Sequence, residues 1–100
     1  MISLYPVIIE EHQFLSISVE LPKTTLLIIT NEIGYIMCGA LDVSLLNEKL
    51  KQRKVIAGRA VGVKTIEELL NAPLDSITYE AENLGIKKGM IGRDALLKMT

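Results

Sequence analysis

The chain has 100 residues, 49% of them apolar and 23% charged, and a formal net charge of −1; that is one small domain with more apolar side chain than its interior can hold. A single cysteine and a single histidine exclude an internal disulfide and a Cys/His structural zinc site within one chain. Eleven basic and twelve acidic residues are interspersed, and one Phe, three Tyr and no Trp give no stacking platform, so nucleic acid is not an expected partner.

The first forty residues read as strands. Ser3 to Glu11 is extended, with Pro6 placing it at a sheet edge or near a strand end. A short polar connection, Glu11-His12-Gln13, leads into Gln13 to Leu21. There Leu15, Ile17, Val19 and Leu21 alternate with Ser16, Ser18 and Glu20, the pattern of a half-buried strand with its serine side wet. Pro22-Lys23 breaks the next junction. Thr24 to Thr30 is apolar on both faces, as a central strand is. Asn31 to Gly34 has hairpin-turn residues, and Tyr35 to Gly39 makes a fourth strand. Short turns between four strands predict an antiparallel meander over residues 1–40.

The period changes after Gly39. Asp42 can cap a helix from Val43 to about Arg53, with Val43, Leu46 and Leu50 on one face and Leu45 beside them. The basic stretch Lys49 to Lys54 falls late in that helix, where cations suit the macrodipole. Val55 to Val63 reads as a fifth strand, with Gly58, Ala60 and Gly62 on one face. Small residues in alternation admit a close neighbour, either a packed helix or a ligand. Thr65-Ile66-Glu67-Glu68 is a capping box that opens a helix through Leu70. A further helix is expected from Leu74 or Asp75 to Leu84, closed by Gly85 and Ile86 as a Schellman ending. Gly92 precedes a last helix from Arg93 to Met99. The expected fold is α+β: a mostly antiparallel sheet of about five strands, with three to four helices packed on one face, all in one domain spanning residues 1–100.

Three separated segments carry a family resemblance. Cys38-Gly39-Ala40-Leu41-Asp42 comes first. Arg59-Ala60-Val61-Gly62-Val63-Lys64 continues into Thr65-Ile66-Glu67-Glu68-Leu69-Leu70. Gly85-Ile86, Gly89-Met90-Ile91-Gly92 and Ala95-Leu96 complete the set. In this order the chain resembles the YunC-like family, small bacterial and archaeal-type domains of unknown function. The resemblance implies a stand-alone domain. It implies no catalytic or binding residue, because that family has none assigned.

Candidate chemistry centres on Cys38. At a strand end just before a helix, a thiol can be activated by the helix dipole and serve as a nucleophile. Gly39 would then admit a substrate, and backbone N–H groups would hold an oxyanion. Equally, a cysteine among Ile36, Met37, Ala40 and Leu41 suits a packed core, where burial raises the thiol pKa, and redox sensing is the third reading. No histidine follows Cys38 in the chain. His12, at an expected turn, would have to be brought round by the fold or a second subunit.

Asp42 is either the helix cap or an acid/base group. Arg59, a charge on a strand of small and apolar residues, is an anion clamp, half of an interface ion pair or a plainly exposed side chain. The glycines at 85, 89 and 92 frame Lys87 and Lys88, either as a helix stop followed by turns or as a phosphate cradle that matches no known fingerprint.

Two function classes follow. One is a homo-oligomeric module that binds a small anionic ligand or a protein partner near the Cys38-Gly39 turn, through Arg59, Gly39 and Asp42. The other is a thiol-dependent enzyme for acyl transfer or amide hydrolysis, with Cys38 as nucleophile. Whether the protein is an enzyme stays open at this level. Neither a metal nor a cofactor is expected. No run approaches the ~18 apolar residues of a membrane span, and the start lacks the basic flank and apolar core of a signal peptide. The expected compartment is the cytoplasm, with Cys38 reduced and no membrane contact.

Overall fold

The computed structural model describes residues 1–39, 41–48 and 51–100, with the Lys51 side chain outside the description. Ala40 of the opening motif, and Lys49 and Leu50 of the expected first helix, therefore lie outside the described residues. Six strands form one sheet in sequence order: β1 (Ile2–Ile9), β2 (His12–Leu21), β3 (Thr24–Thr30), β4 (Tyr35–Met37), β5 (Ala57–Arg59) and β6 (Ser76–Ile77). Every neighbouring pair is antiparallel except β4 and β5, which run parallel across a helical crossover. The fold is α+β with a mostly antiparallel sheet, as the periodicities indicate.

Turn chemistry sets the first hairpins. Ile9 pairs with His12, so the β1–β2 turn is Glu10-Glu11, and His12 opens β2 rather than lying in the connection. Both glutamates have positive φ, 48° and 73°, as a two-residue turn with right-handed twist requires. At the next turn Pro22 leads and Lys23 takes φ 64°.

The register then decides which side chains meet the core. Leu4 lies opposite Ile17, Ile17 opposite Ile28, and Ile28 opposite Met37, forming one ladder across four strands. On the other face Ser16 lies opposite Ile29, Ile29 opposite Ile36, and Ile36 opposite Gly58. This second face carries the core: Phe14, Leu27, Ile29 and Ile36 are buried there. The expectation for β2 is thus inverted. Phe14 and Ser16 point to the interior, while Leu15 and Leu21 are exposed. Burial of Ser16 is tolerated because its hydroxyl donates to the Tyr5 carbonyl oxygen at 2.9 Å. Pairing with Leu27 and Ile29 of β3 holds that register; alternation within β2 alone could not.

Helices α2 (Ile66–Asn71) and α4 (Gly92–Leu97) contribute Leu69, Leu70, Ala95 and Leu96 to the same core cluster. The capping box forms. Glu68 N donates to Thr65 Oγ1 at 3.0 Å, and Glu68 Oε1 reaches back to accept from Lys64 N at 2.7 Å, one residue earlier than the usual partner. Helix α1 (Val43–Glu48) begins behind Asp42, whose Oδ1 accepts from Leu45 N at 3.0 Å. It stops short of Arg53, and a 3-10 turn covers Lys51–Arg53.

The helix expected from Leu74 to Leu84 divides. Ser76–Ile77 pairs with β5 as β6, and α3 (Tyr79–Asn83) starts only after Thr78. Thr78 is the reason. Its buried hydroxyl donates to Val55 O at 2.7 Å and accepts from Ala57 N at 3.1 Å and Ala81 N at 3.3 Å, joining β5 to the start of α3. The Schellman ending stands as expected: Ile86 N donates to Ala81 O and Gly85 N to Glu82 O, both at 3.0 Å, with Gly85 at φ 98°. The expected fifth strand shortens to three residues. Gly58 makes room for a core residue, since a Cβ there would lie 2.7 Å from Leu74 Cδ1. Among the described residues, no helix is long and apolar enough to cross a membrane.

Gly92 has a packing role. A side chain at this position would run into the Leu69 carbonyl oxygen and lie 2.9 Å from Ile36 Cδ1. Backbone cannot yield as a side chain tip does. Gly92→Ala is therefore expected to lose ~3 kcal/mol of stability, at the upper end for overpacking, read as a lower urea midpoint at unchanged slope.

Candidate functional site

Three of the four candidate site residues converge. Gly39, Asp42 and Arg59 line one open cleft of about 740 Å³, together with Asn47, Asp75, Ser76, Tyr79, Glu82 and Lys88 among others. Arg59 ends β5. Its Nε donates to the Gly39 carbonyl oxygen at 3.3 Å, and its Nη1 meets Asp75 Oδ2 at 3.3 Å. The guanidinium is thereby held across the mouth of the turn that follows Cys38. Side-chain exposures of 33% for Arg59 and 46% for Asp75 make this a wet ion pair. Such a pair contributes roughly 0–1 kcal/mol, so a bound anion can take Asp75's place at little cost.

The cleft frame is tied by backbone-directed bonds. Asn47 of α1 accepts from Tyr79 N at 2.8 Å through Oδ1 and donates to Ile77 O at 3.4 Å through Nδ2. Asp75 N donates to the Arg59 carbonyl oxygen at 2.7 Å, fixing the Asp75 backbone beside β5. In the same wall, Ser76 Oγ is buried and has no hydrogen-bond partner among the described residues. Buried hydroxyls are normally satisfied, and this one has no exposed surface toward the cleft. The charges are mixed: Asp42, Asp75 and Glu82 face Arg59 and Lys88. Asp42 serves the α1 N-terminus and also presents a carboxylate to the cleft.

Cys38 is not part of this lining. It is 6% exposed and belongs to the core cluster. Leu27 N donates to its Sγ at 3.5 Å, and the thiol points to Thr25 O at 3.9 Å. Neither contact is a base. His12 is exposed and lies with Asn31 and Met99 beside a separate depression, away from Cys38 and Arg59. The Gly85–Gly92 segment divides in the same way: Lys88 reaches the cleft, Gly85 serves the helix stop, Gly89 takes a positive-φ turn and Gly92 serves the α4 packing. Sequence reasoning does not single out Asn47, Ser76 or Tyr79, and it places Asp75 at a helix start. Their role depends on β6 pairing with β5, a two-residue strand without a pattern of its own.

A six-stranded α+β sheet with this crossover and this motif order defines a known class. The chain belongs to the family described as domain of unknown function DUF1805, whose model matches residues 37–99. It is 63% identical over 99 residues to the uncharacterized protein YunC of Bacillus subtilis (strain 168), covering 99% of this chain and 98% of that protein. The crystal structure of TA1206, a protein of unknown function from Thermoplasma acidophilum, superposes with a TM-score of 0.89 at 29% identity, covering 100% of this chain and 94% of that one. The matched segment starts at β4 and contains Gly39, Asp42, Arg59 and Asp75, so the whole cleft lies within the family's own region.

The Cys38 environment gives a direct expectation. Iodoacetamide should modify Cys38 in the folded protein more than about 100-fold more slowly than in urea at the same pH, since the buried thiol is shielded from the reagent. Fast native alkylation near pH 6 would show instead an accessible, activated thiolate.

Proposed function

We propose that this protein is a homo-oligomeric binding module that holds a small ligand through an anionic group in the Arg59 cleft. The observation that carries the reading is the Arg59 guanidinium, oriented by the Gly39 carbonyl and, among the described residues, neutralised only by the solvent-exposed Asp75 carboxylate. A guanidinium so placed offers paired N–H donors to a carboxylate or phosphate. Asp42 and Glu82, on the same lining, favour a ligand that also carries donor groups, which separates it from a simple inorganic anion. The thiol-enzyme alternative has less support, because Cys38 is buried, outside the cleft and without a base.

Binding of small carboxylates and of inorganic phosphate, followed by calorimetry, tests this reading. Arg59→Ala is expected to weaken binding by about tenfold or more, the effect of losing a charge-assisted pair. Asp75→Asn should do the opposite and strengthen it several-fold, because the internal competitor is removed while the shape is kept. Equal binding to wild type and both variants would remove Arg59 from the site.

A further inference from the structure

The sheet has two faces, and over β1 to β3 only one is covered. On the covered face Phe14, Leu27, Ile29 and Ile36 meet the core formed with α2 and α4. The opposite face of β1 and β2 carries Ile2, Leu4, Ile8, Leu15 and Leu21, each between 41% and 68% exposed. Their cross-strand neighbours Val19, Ile17, Leu26 and Ile28 continue the surface and are themselves only half-buried. Following the register from Ile2 across to Met37, no residue on this face of β1 to β4 is charged, and the first charge is Arg59 of β5, opposite Met37. The exposed polar side chains are at its margins, where Gln13 lies opposite Ile8 and Thr24 opposite Leu21.

We infer that this face is the surface through which two copies of the chain pair, sheet against sheet. The inference rests on the homo-oligomer reading above and specifies its surface. Area is the first argument. Strands spaced ~4.8 Å apart with ~3.4 Å per residue give β1 to β4 a face of roughly 450 Å² in projection. Pleating and side chains enlarge it, so two such faces bury on the order of 1,000 Å² or more, the size at which specific association begins. Charge is the second. A second copy brings an equally neutral surface, so nothing is desolvated unpaired and nothing repels across a two-fold axis. A partner recognised by charge has nothing to read here, and neither has an anionic lipid surface, which needs basic residues.

Geometry is the third argument. Twisted antiparallel faces stack at ~10 Å with their strands inclined by about 30°, which lets rows of branched side chains interdigitate. Pairing edge to edge is discouraged because Pro6, mid-way along the edge strand β1, has no N–H to give. Part of the apolar excess noted in the composition is thereby placed, since Ile2, Leu4, Ile8, Leu15 and Leu21 share this plane.

Sedimentation equilibrium on the full chain tests the surface. Wild type should sediment at twice the 11.1 kDa chain mass at low micromolar concentration. Leu4→Glu combined with Leu15→Glu should weaken self-association by more than about 100-fold, since like charges meet in a dry interface. Ile8→Lys, near a strand end, repeats the test should the double variant lose its fold by circular dichroism. Val61→Glu, an exposed apolar position outside the strands, should leave the dimer unchanged. A wild-type monomer at 100-fold higher concentration overturns both this inference and the homo-oligomer reading. An oligomer untouched by folded Leu4, Leu15 and Ile8 variants overturns the surface alone. A monomer that floats with phosphatidylcholine vesicles assigns the face to lipid and overturns the pairing.

Discussion

The register between β2 and β3 is the constraint on which the rest of this structure depends. Because side chains alternate, one residue of slip would exchange the two faces entirely. In the register adopted, Phe14, Leu27, Ile29 and Ile36 share one side and form the floor on which α2 and α4 pack. The same choice sends Leu15, Ile17, Ile28 and Leu4 to the other side. Ser16 is what that choice leaves in the interior, and its hydroxyl is satisfied by Tyr5. The β1 to β3 part of the sheet is apolar on both faces, with the helix-packed core on one of them.

The candidate site grows out of a different junction. Strand β5 is short, and its end is where α1, β6 and α3 come together. Thr78 fixes this corner with a single hydroxyl that bonds to three backbone groups in β5's approach, in β5 itself and in α3. Asn47 ties α1 to the same corner. What remains between these elements is the cleft, with Arg59 at its mouth. Its chemistry is therefore positioned by backbone hydrogen bonds, which gives a rigid frame, while the Arg59–Asp75 ion pair inside it is exposed. Membership of the DUF1805 family places this corner in the matched region, and the meander before β4 outside it.

What could be read from sequence was local chemistry. The Thr65 and Glu68 capping box, the Asp42 cap and the Gly85-Ile86 ending each depend on residues within five positions of one another, and each forms. Strand existence was legible too, from β-branched runs and turn residues. The face of β2 was not, because its own alternation marks the leucine side as apolar without saying which side the helices take. Strand β6 was hidden for a related reason: Ser76–Ile77 becomes a strand only by pairing with β5, and two residues carry no period. Asp75 joins Arg59 through that pairing, so the ion pair was equally out of reach. Arg59 was legible because a charge is out of place on a strand of small and apolar residues, whereas Gly39 and Asp42 entered as neighbours of Cys38 at an expected helix start.

The central claim is that the fold leaves one neutral sheet face to be covered by a second copy. Hydroxyl-radical footprinting of the full chain, across a dilution series, reads that face directly. The account predicts that Leu4, Ile8 and Leu15 are protected at high concentration and become oxidised on dilution, while Phe14 stays protected throughout. Equal oxidation of Leu4, Ile8 and Leu15 at every concentration, with Phe14 still protected, would contradict it.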